Sequence, residues 1–152
     1  MAAPVREYRY QVDRDGRIFH HGTEVVDPLT LRFFLHAMTR TNDGRFLVRC
    51  QGEENWFEAH DTPFVVQRLR VTLEGGALAA AELCLQGDYR EPLDPGSLES
   101  TDGFLLCRVR RGAFRARFGR VATQQLAPFL VDSDAGPALA VQGTYYPIPD
   151  AR

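Results

Sequence analysis

Hydrophobic and polar positions alternate from the start of the chain. Tyr8, Tyr10 and Val12 alternate with Arg9 and Gln11, the two-residue period of a half-buried strand. Asp13-Arg14-Asp15-Gly16 then reads as a turn, because Asp and Gly tolerate positive φ. Residues 17–20 return as a second strand, and His21-Gly22 turns again. Asp27-Pro28 marks a helix start: the carboxylate can cap free amides, and proline suits the first helical position. Leu31, Phe34, Leu35 and Met38 recur at helical spacing on one face, with Arg32 and Arg40 off it. After Asn42-Asp43-Gly44 the period drops to two. It predicts strands over 46–50, 55–58 and 64–73, the last with Val65, Leu69, Val71 and Leu73 on one face. Glu74-Gly75-Gly76 predicts a hairpin turn into a strand over 77–85.

Residues 86–103 are the most loop-like stretch, rich in Pro, Gly, acids and hydroxyls. The next pattern is a hairpin, 104–110 and 113–118, about Arg111-Gly112. A short helix over 121–129, a loop over 132–137 and a final strand over 138–148 complete the chain. The expected fold is α+β: mostly antiparallel sheet with two short helices, in two small β-rich halves. Residues 1–86 would form the first half and 87–152 the second, or the two would share one compact domain. No internal repeat is visible in the sequence.

Composition narrows the chemistry. The 152 residues are 44% apolar and 25% charged, an ordinary globular balance. A chain of this size buries enough surface to fold without disulfides or metals. All 18 basic residues are Arg, against 20 acids, so Schiff-base and P-loop lysine chemistry are excluded. With a net charge of −2 and a pI near 6.1, nucleic acid is not an expected partner. There is no apolar run long enough for a membrane span, and residues 1–10 lack the apolar core of a secretory leader. Cys50, Cys84 and Cys107 are widely spaced and form no CxxC pair; Cys84 and Cys107 fall in apolar runs and read as small buried hydrophobes. A cytoplasmic location and no cofactor are expected.

The most informative local feature is the arginine hairpin. A two-residue turn at Arg111-Gly112 would pair 110 with 113 and 108 with 115. One face then carries Arg108, Arg110, Arg115 and Arg117. The other carries Leu105, Cys107, Val109, Phe114, Ala116 and Phe118, a core side. Four guanidiniums on one face suit phosphate or carboxylate, which they bind bidentately. In a chain without lysine they suit a solvated face as well.

Other groupings are weaker. Cys50, Glu53, Glu54, Asn55, Glu58, His60 and Asp61 gather a thiol, acids and an imidazole, but at no established ligand spacing. Glu54 and Glu58 would face outward from a half-buried strand, and Asp61 would serve a turn. His20 and His21 are strand neighbours, which point to opposite faces unless the chain bends. Tyr8, Tyr10, Tyr145 and Tyr146 lie near the termini and would form a partner surface if the first and last strands are edges. No GxSxG or GxGxxG motif is present.

Two family patterns run through the chain. Asp15-Gly16-x-x-Phe19-x-x-Gly22, Leu31-Arg32-Phe33-Phe34, Asp43-Gly44-Arg45-Phe46 and Asp61-x-Pro63-Phe64-Val65 resemble the bacterial domain-of-unknown-function family 1285. Val109-Arg110-x-Gly112-x-Phe114-x-Ala116-x-Phe118 extends that resemblance toward Tyr146. Arg6-Glu7-Tyr8-x-Tyr10-x-Val12-Asp13-x-x-Gly16 and Cys50-x-x-Glu53-x-Asn55-Trp56-Phe57 are similar to uncharacterised protein family 0598 (domain of unknown function 4505). There the segment from His20 to Val26 is short, and His60 stands where that family has an acid. The resemblance implies a mostly β, α+β fold in two small halves, and carries no activity and no catalytic residue.

The functional expectation is therefore a non-enzymatic module that binds an anionic ligand or an acidic partner through Arg108, Arg110, Arg115 and Arg117. The alternatives are a small metal- or carboxylate-dependent enzyme using residues 53–61, and an oligomeric scaffold such as a homodimer built on exposed strand edges.

Overall fold

The turn residues organise the first sheet. In the computed structural model, which describes residues 4–151, Asp13 Oδ1 accepts from the amides of Asp15 and Arg17, both at 2.9 Å. Gly16 adopts a φ of +85°, which favours glycine. This turn folds β1 (Arg6–Val12) onto β2 (Ile18–His20), and His21-Gly22 adds a third strand, β3 (Thr23–Val25). Asp27 caps α1 (Pro28–Ala37) by accepting from the Thr30 amide at 3.1 Å, as the Asp-Pro pair predicts. A second meander follows: β4 (Thr39–Arg40), β5 (Phe46–Cys50) and β6 (Glu53–Glu58). The last strand returns parallel to the first, so the sheet runs β3-β2-β1-β6-β5-β4.

The second sheet repeats this plan. Its strands are β7 (Val65–Glu74), β8 (Ala77–Leu85), β9 (Arg90–Pro92), β10 (Glu99–Thr101), β11 (Phe104–Val109) and β12 (Phe114–Phe118). Again the last strand pairs parallel with the first, in the order β10-β11-β12-β7-β8-β9. The sequence shows no such repeat, because the two sheets share a path and not a residue pattern. The stretch over 86–103, expected to be loop, holds β9 and β10. Each has three residues and pairs on one side only, as edge strands do. Residue 86 lies in the turn between β8 and β9, and the passage from first sheet to second comes at residues 59–64.

After α2 (Arg120–Leu126), a three-stranded sheet closes the chain: β13 (Leu130–Ser133), β14 (Gly136–Val141) and β15 (Thr144–Pro147). The single strand expected over 138–148 is a hairpin. Gln142 and Gly143 take φ of +48° and +82° and reverse the chain between β14 and β15. The fold is thus α+β and mostly antiparallel. Among the described residues, no helix is long and apolar enough to cross a membrane.

One hydrophobic cluster runs from Val12 and Ile18 through Leu35, Phe64, Val65 and Phe118 to Leu139 and Ile148, joining all three sheets. Helix α1 approaches the second sheet most closely at Gly87, in the turn between β8 and β9. A Cβ on Gly87 would lie 2.5 Å from the Arg32 amide nitrogen and 2.7 Å from the Pro28 carbonyl oxygen. Neither is a side-chain tip that could swing aside. Gly87 also has a φ of +66°. Gly87→Ala is therefore expected to destabilise the protein by about 3 kcal/mol or more, through clash and backbone strain together. Gly143→Ala, equally left-handed but with nothing within 4 Å, should cost about 1 kcal/mol. Urea unfolding of the two variants checks this; equal losses would show that α1 does not need the close approach.

Candidate functional site

The arginine hairpin forms with the expected register up to its turn. Arg108 faces Arg115, Leu106 faces Arg117, and Val109 faces Phe114. The ladder stops there. The turn about Arg111-Gly112 still closes, the Ala113 amide donating to the Arg110 carbonyl at 3.1 Å, but Arg110 as well as Arg111 and Gly112 is left-handed, with φ of +52°, +58° and +83°, so Arg110 is not an extended strand residue. This sends Arg110 off the shared face. Its Nη1 donates to the carbonyls of Leu35 (3.3 Å) and Met38 (2.5 Å), and its guanidinium lies 4.8 Å from the Phe114 ring. Its amide donates to Glu91 Oε1 at 3.0 Å. Arg110 closes the C-terminal end of α1, where free carbonyls attract a cation. It belongs to the packing between the sheets.

Arg108, Arg115 and Arg117 remain on one face, and three adjoining clefts open along it. Arg108 and Arg115 line one of about 300 Å³ with Arg40 and Asp61. Arg115 and Arg117 line a second, of about 190 Å³, with His60, Asp61 and Asp102. Arg117 and Phe104 also line a third, of about 520 Å³, together with Arg14, Asp15, Arg120 and Thr123. Arg115 has a partner in Glu99 at 3.7 Å.

Arg117 differs from the others. It is 3% exposed. Its Nε is shut off from water and bonds to nothing, and its Nη2 makes one long bond to the Asp13 carbonyl, at 3.4 Å. Among the described residues no carboxylate comes within ion-pair distance of it. Its guanidinium sits 5.2 Å from the Phe104 ring. Burial pulls its pKa below the usual arginine value; Asp61 pulls the other way, and Arg14 adds to the depression. The cause lies in the fold. Strand β12 pairs with β7 at Arg117–Val65, and the Asp13–Gly16 turn of the first sheet lies across that pair. A Cβ on Gly16 would come 2.9 Å from Val65 Cβ, and Gln67 Nε2 donates to the Asp15 carbonyl at 3.1 Å.

The acidic segment divides. Half-buried Glu54 pairs with Arg49, and exposed Glu58 pairs with Arg9. Asn55 is buried and satisfied, donating to the Val48 carbonyl at 3.0 Å and accepting from the Tyr10 hydroxyl at 3.3 Å. His60 and Asp61 instead meet Arg115 and Arg117 at the small cleft, which joins two groupings that are separate in sequence. The His20 and His21 rings do approach, with centroids 4.2 Å apart, because His21 bends the chain at a φ of +49°. His20 Nδ1 lies 3.2 Å from the Arg9 carbonyl. Among the described residues no three of His, Cys, Asp or Glu cluster as a metal site requires. Cys84 and Cys107 are buried, and burial pushes the Cys107 thiol up to about 12. Of the two strands that carry the terminal tyrosines, β1 lies inside its sheet, where Tyr10 stacks on Phe57 at 5.0 Å, whereas β15 is an edge strand with Tyr145 exposed on it.

Among solved structures, a DUF1285 family protein from Silicibacter pomeroyi DSS-3 matches with a TM-score of 0.70 and 21% identity, over 96% of this chain and 86% of that one. The chain has the DUF1285 fold. A second DUF1285 family protein, from Shewanella baltica OS155, matches with a TM-score of 0.59 and 12% identity, over 83% of this chain and 92% of that one. Neither the protein-family models nor the curated proteins give a match. At these identities the likeness is one of fold, and it agrees with the DUF1285 resemblance read from the sequence.

In this DUF1285-like fold, sequence reasoning missed Arg14 and Arg120, because a turn of one sheet meets a strand end of the other only in three dimensions. Arg120 does stand three residues after Arg117, a spacing that could have drawn attention. The two sorts of hairpin arginine separate by mutation. Arg110→Gln should cost about 1–3 kcal/mol, since it leaves the Leu35 and Met38 carbonyls without their donor. Arg111→Gln, exposed beside it, should change stability by less than about 0.5 kcal/mol. Chemical denaturation measures both, and an unchanged Arg110→Gln would return that residue to the candidate ligand set.

Proposed function

We propose that this chain is a non-enzymatic binding module for a small anionic ligand, held by Arg117 with Arg14, Arg115 and Arg120. One observation carries the reading: Arg117 is a buried guanidinium without a carboxylate partner, at the wall between two clefts. Taking a charge out of water costs several kcal/mol unless it is paired and fully hydrogen-bonded. A carboxylate or phosphate in either cleft supplies a counter-charge, and an acceptor for the edge of the guanidinium that lines that cleft. Arginine holds its proton at neutral pH. The lowered pKa means that folding disfavours the charged form, so the cost is present throughout the neutral range. Recessed burial favours a small anion over an acidic protein surface.

A second reading uses the small cleft, where His60, Asp61 and Asp102 lie together beside Arg115. An imidazole with two carboxylates is the raw material of acid–base catalysis. His60 makes no hydrogen bond among the described residues, so nothing orients it. Turnover of a screened ester or phosphoester substrate that is lost in His60→Gln would favour this enzyme over the binding module.

The test is a thermal-shift comparison of the native chain with Arg117→Met. Without ligand, the variant should be as stable or more stable, because a poorly satisfied buried charge gives way to a packed apolar chain. In the native chain, phosphate or a carboxylate at a hundred times its Kd should stabilise by about 2.7 kcal/mol. That gain should fall with added salt and vanish in Arg117→Met. A variant that loses several kcal/mol, from a native chain no anion stabilises, would make Arg117 a structural cation and remove the proposal.

A further inference from the structure

The charge inventory of the 520 Å³ cleft is more specific than a general affinity for anions. Arg14, Arg117 and Arg120 line it against one carboxylate, Asp15, which already lies 3.9 Å from Arg17. Three guanidiniums against one acid leave a surplus of two positive charges. The small cleft on the other side of Arg117 holds two arginines and two aspartates, and has no such surplus. Charge therefore selects the larger cleft, and within it a dianion.

The rest of the lining describes the body of the ligand. Phe104 stands next to the Arg117 guanidinium, and buried Phe118 and Gly119 and the more exposed Thr123 and Gln124 complete the lining. None of these carries a charge, so a second anionic group far from the first would have no cation to meet. A phosphate monoester concentrates two negative charges on one head; a dicarboxylate spreads them. The volume lies within the range of ordinary small-molecule sites.

Building on the anion-binding reading, we propose that the larger cleft binds a small organic phosphate monoester. Its head sits on Arg117 between Arg14 and Arg120, and its apolar body lies against Phe104. The head comes within reach of residues from both sheets, the Asp13–Gly16 turn and the end of β12. The ligand would bridge the seam where Arg117 is left without acceptors.

Titration calorimetry with phenyl phosphate, inorganic phosphate and benzoate, on the whole chain, tests the assignment. Phenyl phosphate should bind about tenfold or more tightly than either of the others, since it alone joins the dianion to a ring. Its affinity should fall below about pH 6, where the monoester takes up its second proton. Phe104→Ala should erase the preference for phenyl phosphate over inorganic phosphate and leave inorganic phosphate binding. Arg14→Gln with Arg120→Gln, both at exposed positions, should weaken phenyl phosphate far more than benzoate. If all three anions bind equally, and Arg117→Met abolishes them, the anion module stands and the monoester assignment falls. If none binds, or binding survives in Arg117→Met, both fall.

Discussion

Two residue pairs, Arg117–Val65 and Phe118–Val66, join the first and last strands of the second sheet at its middle, and the rest of the architecture is arranged around that parallel contact. A parallel junction this short cannot satisfy its own backbone. Side chains complete it. The Thr62 hydroxyl donates to the Arg115 carbonyl at 2.6 Å and accepts from the Phe64 amide. The buried Gln86 amide accepts from Val65 and donates to the Pro63 carbonyl. Beyond Val66, where β7 shifts register and leaves β12, Gln125 takes both the amide and the carbonyl of Leu69. Three polar side chains thus do the work of a neighbouring strand, in keeping with the rule that buried backbone groups find partners.

The same contact creates the site. Pairing Arg117 with Val65 fixes the side of the sheet on which the guanidinium emerges, and the Asp13–Gly16 turn already covers that side. Gly16 allows this cover, since a side chain there would strike Val65. The arginine is held by its backbone in a place its charge would not choose. Fold and site are in tension here, and such tension is common where a protein keeps a group ready for a ligand. Arg110 shows the contrasting case. It leaves the sheet register, finds two carbonyls and an aromatic face, and strengthens the packing between the sheets.

Much of the local structure was legible because local chemistry decided it. Asp27 and Pro28 mark the start of α1, the alternation around Tyr10 marks β1, and Arg108 does face Arg115. The failures share a cause. Nothing in the side chain of Arg110 signals left-handed backbone, so the pattern places on the shared face an arginine that the structure turns toward α1. The strands β9 and β10 were missed because three-residue edges among prolines have no period to read. The repeated sheet plan depends on strand pairs about fifty residues apart, and the meeting of Arg14 with Arg117 on a contact about a hundred apart, which no spacing along the chain expresses.

The absence of lysine gains meaning at this point. A buried ammonium is compact and strongly hydrated, and in a site like that of Arg117 it sheds its proton. A guanidinium is weakly hydrated, lies flat beside a ring such as Phe104, and keeps its charge. Arginine therefore makes the positive charge of the cleft a constant, independent of pH through the neutral range. Any pH response of ligand binding in the cleft then comes from the anion the arginines hold. A site built from fixed charge on a rigid junction discriminates by the shape and charge of its ligand, and leaves the titration to the ligand itself.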